Sequence, residues 1–459
     1  MVNPTEVRQP TGRPQAATGG ASRQFHTSVL IKPTSSRCNL DCSYCFYLAK
    51  AAMYPWGDHP TLSLDTFDKF LSQYVPMSAP YLTFMWQGGE PTMMGLPFFQ
   101  DAYRLQKEHA RRVNPVLTPP VTNSIQTNGT LLNDDWAKFF KESDFLVGIS
   151  LDGPPDMHDQ FRRDRTARPT FDRVMNGIEV LRKHDVPFNI LCVVNRVNVE
   201  QPRELFAWLV AQEFTDIQFI PCVEPAEGAH SAEEGITDES ITPEQFGEFL
   251  CQVFDAWVET GIANVRLRWY DNIIQRLWGF PSEMCTMSPA CGYLVLEHNG
   301  DCYPCDFFVQ DDQLLGNIHN TPLREMVGGR SFIEFGQTKA KLHDECARCP
   351  WLSLCYGECP RYRITASGSA EHTLPYFCES YKRMFSEKYP ELERLSIESG
   401  RTLGLAVQQR AIPADERTAK RTPSFEQVLE VAKRSRTGRN DACPCGSGRK
   451  FKRCCQRQV

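Results

Sequence analysis

Along residues 26–270 the apolar positions fall into two alternating kinds of run. Six short runs, at 27–31, 82–86, 124–126, 145–150, 188–194 and 216–220, are β-rich and almost continuously apolar. Between them lie longer amphipathic stretches, at 64–74, 98–111, 135–142, 170–184 and 202–212. Strands of this kind, alternating with helices, predict an α/β fold with a parallel sheet covered by helices. A full or partial (β/α)6 barrel of the TIM type fits, and its chemistry belongs at the C-terminal ends of the strands. From about 280 to 385 the pattern turns short and loop-rich, punctuated by Cys and Gly, as expected of a region organised by metals. Residues 400–440 are polar, with one weak amphipathic segment at 425–432. The expected organisation is a leader at 1–25, a barrel at 26–275, a Cys-rich domain at 276–385, a helical or linker segment at 386–440 and a small tail at 441–459.

Composition sharpens this picture at two points. The chain has 459 residues, 41% of them apolar, enough for a sizeable core, and no apolar run reaches the ~20 residues of a membrane span. Residues 1–25 are rich in Pro, Gln, Thr and Gly without an apolar stretch, and read as a disordered leader rather than a signal peptide. The expected location is therefore the cytoplasm, where 19 cysteines point to metal ligation rather than disulfides. They cluster at 38–45, 285–305, 346–378 and 443–455, while Cys192, Cys222 and Cys251 stand alone and read as small buried hydrophobes. Charge is uneven. Residues 401–459 hold 14 Lys and Arg against 5 Asp and Glu, and the rest of the chain holds 36 against 51. The acidic body argues against a nucleic-acid surface, and the basic tail leaves an anionic partner open.

Cys38, Cys42 and Cys45 place three thiolates within eight residues, directly after the first strand. Three thiolates on a four-iron cube leave one iron open to chelate a small molecule. A zinc site lacking its fourth ligand is the plainer alternative, but structural zinc sites favour paired Cys units. The spacing closely resembles that of the radical S-adenosylmethionine (SAM) superfamily. That resemblance implies a 4Fe-4S cluster and SAM. It gives Gln87, Gly88, Gly89 and Glu90 to the element that binds the methionine amino group, Tyr44 to the adenine, and Ser150 and Arg162 to ribose and carboxylate. Val223 completes the implied cofactor contacts, although Pro221 and Val223 stand where relatives vary. Taken alone, paired glycines make turns, Ser150 is a polar strand end and Arg162 a solvated cation.

Farther along, Cys285, Cys291 and Cys305 precede Cys346, Cys349, Cys355, Cys359 and Cys378. Eight thiolates saturate two four-iron clusters, or two zinc sites. The arrangement resembles the SPASM extension of radical SAM enzymes, which implies one cluster on Cys285, Cys291, Cys305 and Cys359 and another on Cys346, Cys349, Cys355 and Cys378. Cys302 is surplus and reads as a packed thiol.

Several stretches are similar to a narrower branch, the anaerobic sulfatase-maturating enzymes. They are Cys45-Phe46-Tyr47-Leu48, residues 84–92, Gln126-Thr127-Asn128-Gly129-Thr130-Leu131, residues 189–194, residues 218–222 and Tyr303-Pro304-Cys305-Asp306-Phe307. The resemblance covers about 27–395. It implies oxidation of a Cys or Ser of a sulfatase, within a Cys/Ser-x-Pro-x-Arg motif, to formylglycine through a 5′-deoxyadenosyl radical. It further implies three 4Fe-4S clusters in all, Asp306 as the base, and an electron donor such as a flavodoxin or ferredoxin. A carboxylate beside an anionic cluster is expected to hold its proton more tightly, which suits a base; the bland reading of Asp306 is a turn cap. Alternatives of other classes are a SPASM maturase that crosslinks a ribosomal peptide and a non-catalytic metal-binding adaptor.

Finally, Cys443, Cys445, Cys454 and Cys455 flank a Gly-bearing basic turn that resembles the SEC-C motif. Four thiolates close a tetrahedral zinc site. The resemblance implies a docking element for an export or chaperone partner.

Overall fold

The structure is a computed structural model that describes residues 28–54, 61–226, 234–364 and 371–404. Six strands stand where the alternating pattern put them: β1 (Val29–Lys32), β2 (Leu82–Trp86), β3 (Val121–Thr127), β4 (Phe145–Ser150), β5 (Phe188–Val194) and β6 (Asp216–Pro221). They pair in parallel and in chain order, and a two-residue β7 (Arg266–Leu267) follows β6. The opposite edge was not anticipated. There β8 (Leu294–Glu297), from the Cys-rich region, runs parallel to β1 with Val29 opposite Leu294, and β9 (Asp301–Tyr303) and β10 (Gly316–Asn317) continue antiparallel. All four residues of β8 and all four of β1 are buried. A strand buried on both faces must pair its backbone groups, and the free edge of β1 supplies the partner. The result is an open ten-stranded sheet with β10 at one end and β7 at the other.

The helices α1 (Leu64–Ser78), α2 (Leu96–Val113), α3 (Asp134–Glu142), α4 (Pro155–Phe161), α5 (Phe171–Lys183) and α6 (Pro202–Ala211) connect the parallel strands. Local chemistry sets their starts: Ser63 accepts from the Thr66 amide, and Asn133 from Asp135 and Trp136. A row of rings, Phe67, Trp86, Phe99, Trp136, Phe140 and Phe145, with successive centroids 5.1 to 5.4 Å apart, seals the sheet against the first three helices. The strands are less uniformly buried than their composition suggests. Phe84, Trp86, Ile125, Ile190 and Cys192 are fully covered, whereas Gln126, Leu191 and Val193 alternate with them and face an open cavity.

Beyond β6 come α7 (Pro243–Thr260), started by a reciprocal Thr242–Gln245 cap, and α8 (Arg268–Leu277). Short helices α9 (Leu323–Gly328), α10 (Arg330–Thr338), α11 (Asp344–Arg348) and α12 (Leu352–Cys355) carry the Cys-rich chain to the long α13 (Cys378–Thr402). Trp269 of α8 stacks on Tyr381 and Phe385 of α13 at 5.6 and 5.8 Å, and Trp351 meets Phe385 at 5.5 Å, so aromatic packing clasps this region to the barrel. No described helix is long and apolar enough to cross a membrane. The amphipathic segment at 425–432 and the tail cysteines Cys443, Cys445, Cys454 and Cys455 lie outside the described residues.

Candidate active site

The loop after β1 carries Cys38, Cys42 and Cys45, and three elements hold it. The Gly89 and Glu90 amides donate to the Ser35 and Arg37 carbonyls at 2.6 and 2.9 Å. Asn128, beyond β3, donates to the Asn39 side chain at 2.8 Å, and Asn39 donates to Thr130 at 2.9 Å. Past α4, the Arg163 carbonyl accepts from the Asp41 amide at 2.8 Å, and Arg165 donates to the Cys38 carbonyl at the same distance. The glycine at 89 is required by space: a Cβ there would stand 1.9 Å from the Arg37 carbonyl oxygen. Strand end and cysteine loop therefore meet backbone to backbone.

The three cysteines line one end of a cavity of about 240 Å³. Tyr44, Gln87, Gly88, Gly89, Ser150, Arg162 and Val223 line it too, so the structure gathers seven of the eight expected cofactor contacts around the thiols. Glu90 is the exception. Its carboxylate is fully buried and accepts from the Thr92 amide and hydroxyl, the Thr127 hydroxyl and the Asn128 amide, at 2.6 to 2.9 Å. With its oxygens committed, Glu90 staples the ends of β2 and β3 together and does not face the cavity. Burial raises its pKa above the ordinary carboxylate value, and these hydrogen bonds pull it back.

Three groups that sequence reading passed over organise the cavity. Asp152, two residues beyond β4 and fully buried, accepts from Tyr44, from Arg162 Nε at 2.9 Å and from the Val193 amide at 3.0 Å. It therefore aims two expected cofactor contacts at once. The signal was an acid directly after an apolar strand, at Ser150-Leu151-Asp152. At the far wall Glu224 and Arg361 form an ion pair that joins the barrel to the Cys-rich region, with Arg361 lying 5.7 Å over the Phe307 ring. Cys222 lines the same wall, whereas Cys192 and Cys251 are core thiols, as their isolation suggested.

Asp306 immediately follows Cys305. Its neighbour Phe307 lines the cavity and packs on Phe46 at 4.7 Å, while its own carboxylate turns to Lys32 at 3.6 Å and keeps 16% of its surface open. Its surroundings are therefore not purely anionic, as the sequence suggested, but include a buried ammonium.

The remaining thiols sort into two sets. Cys346, Cys349, Cys355 and Cys378 line one cavity against Trp351 and Phe385. In the other set, the charges of Cys285 and Cys291 both bear on Cys359, and those of Cys359 and Cys291 on Cys305, each after the dominant effect of burial. Two buried cations stand among these groups. Lys339 donates to the Cys285 carbonyl at 2.6 Å, and Arg363 donates to the Lys339 carbonyl at 2.8 Å. These thiols, buried or half-buried apart from the exposed Cys285, stand near cations and fit anionic thiolate clusters. Burial pushes the bare thiols of Cys38 and Cys42 up to about 12, so a bound cation is needed to draw their protons off. Cys302 is fully buried in β9.

The family model described as the radical SAM superfamily matches residues 33–209, the SPASM model, an iron-sulfur cluster-binding domain, matches 285–350, and the SEC-C motif matches 439–457. The chain is 37% identical over 383 residues to the serine-type anaerobic sulfatase-maturating enzyme of Bacteroides thetaiotaomicron, covering 81% of this chain and 91% of the relative. It is 35% identical to the cysteine-type enzyme of Clostridium perfringens, covering 80% and 97%. A solved structure, native anSMEcpe with bound AdoMet and the Cp18Cys peptide, superposes with a TM-score of 0.73 at 34% identity, covering 81% of this chain and 99% of that one. On this cavity geometry and this extent of likeness, the chain belongs to the anaerobic sulfatase-maturating enzymes of the radical SAM superfamily.

Proposed function

We propose that this chain converts a Cys or Ser of a client sulfatase into Cα-formylglycine. The observation that carries the reading is the meeting of two remote segments at one cavity: the Cys38–Cys45 loop at one end, and Phe307, next to Asp306 and Cys305, packed on Phe46 of that loop. When bound, the cluster on Cys38, Cys42 and Cys45 together with SAM supplies a 5′-deoxyadenosyl radical that takes one hydrogen atom from the client β-carbon. Tyr44, Gln87, Gly88, Gly89, Ser150, Arg162 and Val223 would hold SAM, with Asp152 fixing Tyr44 and Arg162. Asp306 takes the thiol or hydroxyl proton. A cluster held by Cys285, Cys291, Cys305 and Cys359 would supply the acceptor for the remaining electron, so hydrogen atom, proton and electron would each have a destination. A serine then yields the aldehyde directly, and a cysteine yields a thioaldehyde that water converts to aldehyde and hydrogen sulfide.

The proposed division of the chain follows: cofactor chemistry in 26–275, two further 4Fe-4S clusters on the thiol sets of 276–385, a helical and linker segment at 386–440 that begins within α13, and a zinc site on Cys443, Cys445, Cys454 and Cys455 at 441–459. The match to the SEC-C motif supports the last of these, and the basic tail supports an export or chaperone partner there. Clusters held by thiolates need reduced cysteines and a low-potential donor such as a flavodoxin or ferredoxin, which favours the cytoplasm.

The test is an anaerobic reaction of the reconstituted protein with SAM, a strong reductant and a peptide bearing Cys-x-Pro-x-Arg or its Ser counterpart, followed by mass spectrometry. Formylglycine matched by 5′-deoxyadenosine is expected, and Asp306→Asn should retain 5′-deoxyadenosine while losing product. Deoxyadenosine without change in either peptide would overturn the assignment of the client.

A further inference from the structure

Lys32 is the last residue of β1 and is fully buried, yet among the described residues its ammonium has no hydrogen-bond partner. It lies 4.3 Å over the Tyr47 ring, and its one ion pair is with Asp306 Oδ2 at 3.6 Å, too long for a hydrogen bond. The surroundings are built to keep it there. The Tyr47 hydroxyl is tied to Glu297, a fully buried carboxylate at the end of β8, so the ring under the ammonium cannot swing away. A Cβ at Gly88 would stand 2.8 Å from the Ser35 carbonyl, too close to fit, and in ordinary contact with Lys32 Cδ at 3.5 Å, so the glycine lets the two backbones close over the lysine stem.

A buried ammonium without hydrogen bonds is a poor stabiliser. Its desolvation costs several kcal/mol, which a single long ion pair does not recover. An apolar chain of the same length would serve folding at least as well, so stability does not account for the charge. The charge also bears on the Cys45 thiol, but among the described residues its ion pair is with Asp306. It draws Oδ2 toward the interior and fixes the rotation of a carboxylate that otherwise sits partly open beside Cys305.

Resting on the reading of Asp306 as the base, we propose that Lys32 is a positioning residue: its buried ammonium locks the Asp306 carboxylate in one orientation, with Oδ2 inward and Oδ1, which lies 3.7 Å from the Cys305 sulfur, kept for the client side chain. Lys32 touches neither client nor SAM and acts through Asp306. Removal of the ammonium leaves hydrogen abstraction possible but proton removal mistimed, so radical formation and product formation come apart.

The experiment is a double-mutant cycle of Lys32→Met and Asp306→Asn on the reconstituted enzyme, with both peptides. Formylglycine formation by Lys32→Met should fall roughly 10- to 100-fold through kcat with little change in KM, and the ratio of formylglycine to 5′-deoxyadenosine should fall with it. In the Asp306→Asn background, Lys32→Met should change the small residual product and the 5′-deoxyadenosine formed by less than about twofold, because the group it positions is already gone. Apart from turnover, iron content and melting temperature of Lys32→Met should match or exceed those of the parent, and a crystal structure should show the Asp306 carboxylate rotated. If Lys32→Met does not assemble its clusters, Lys32→Gln, which keeps length and polarity without charge, runs the same cycle. An unchanged product ratio, multiplicative losses in the double variant, or loss of 5′-deoxyadenosine together with product would each overturn the proposal. A parent enzyme that forms no formylglycine on either peptide overturns the functional reading instead.

Discussion

The cysteine loop of the barrel and the Cys-rich region hold thiols of the same kind by opposite means. Cys38, Cys42 and Cys45 come from eight consecutive residues after a sheet strand, and backbone and side-chain hydrogen bonds from three neighbouring elements fix their loop. The eight later thiols are collected from Cys285 to Cys378: Cys285, Cys346, Cys355 and Cys378 on short turns, helices of four or five residues and the first residue of α13, Cys305, Cys349 and Cys359 at their caps, and Cys291 in a loop. A helix of one turn has no stability of its own in water. The first region is therefore a scaffold that presents a site, and the second is a fold that its metals help to define. What binds the two is mixed: β8 pairs with β1, Trp269 stacks on α13, and the ion pairs Glu224–Arg361 and Lys32–Asp306 cross between them.

The contrast can be broken from its catalytic end. Cys42→Ala should remove the open iron and drop SAM cleavage by roughly 10³-fold or more, about 4 kcal/mol of barrier. Iron content should fall by about a third and no further, since the other two thiol sets do not share Cys42; loss of all iron would mean that the regions assemble as one unit. Next in size is metal removal. Anaerobic chelation should leave the amides of β1 to β6 protected in hydrogen exchange while those of 285–360 exchange orders of magnitude faster. Equal deprotection of both would show that the barrel leans on the clusters as well.

Two smaller effects sharpen the comparison inside the scaffold. Glu90→Gln puts an amide where the Asn128 amide donates, leaving one buried donor unmet, and should cost ~2–3 kcal/mol of stability, read as a lower melting temperature. If SAM affinity fell with stability unchanged, Glu90 would be a cofactor contact after all. The smallest effect concerns His158, held between the Asp152 amide and the Thr170 hydroxyl. Burial, aided by Arg162, lowers its pKa to about 4, so it stays neutral in the fold while the unfolded chain binds a proton near pH 6.5. Stability from this group is complete above pH 6.5 and is lost as pH falls toward 4. Between pH 7.5 and 5.5 the parent should lose about 1 kcal/mol more than His158→Gln, measured by denaturant unfolding.

The strand and helix pattern of the barrel was legible because each element carries its own period and its own turn chemistry, as at Ser63 and Asn133. The thiol loop was legible because its ligands are neighbours in sequence. Glu90, by contrast, sits in a stretch that reads as a cofactor element, and only the ends of β2 and β3 show its oxygens already spent. Asp152 had only the weak signal of an acid after a strand, and Glu224 and Arg361 carry no local signature, since they are defined by each other across 137 residues of chain.

The amino-acid sequence by itself determined the alternation of strands and helices, the cysteine sets and the chemistry they can support, because those follow from spacing and residue type within short windows. Tertiary structure alone decided that β8 closes onto β1, that Asp306 faces a buried Lys32, that Glu224 meets Arg361 in the cavity wall, and that Glu90 turns away from the cavity. Each of these pairs residues far apart along the chain, where the outcome depends on which burial leaves fewest polar groups unmet, and no local pattern encodes that sum.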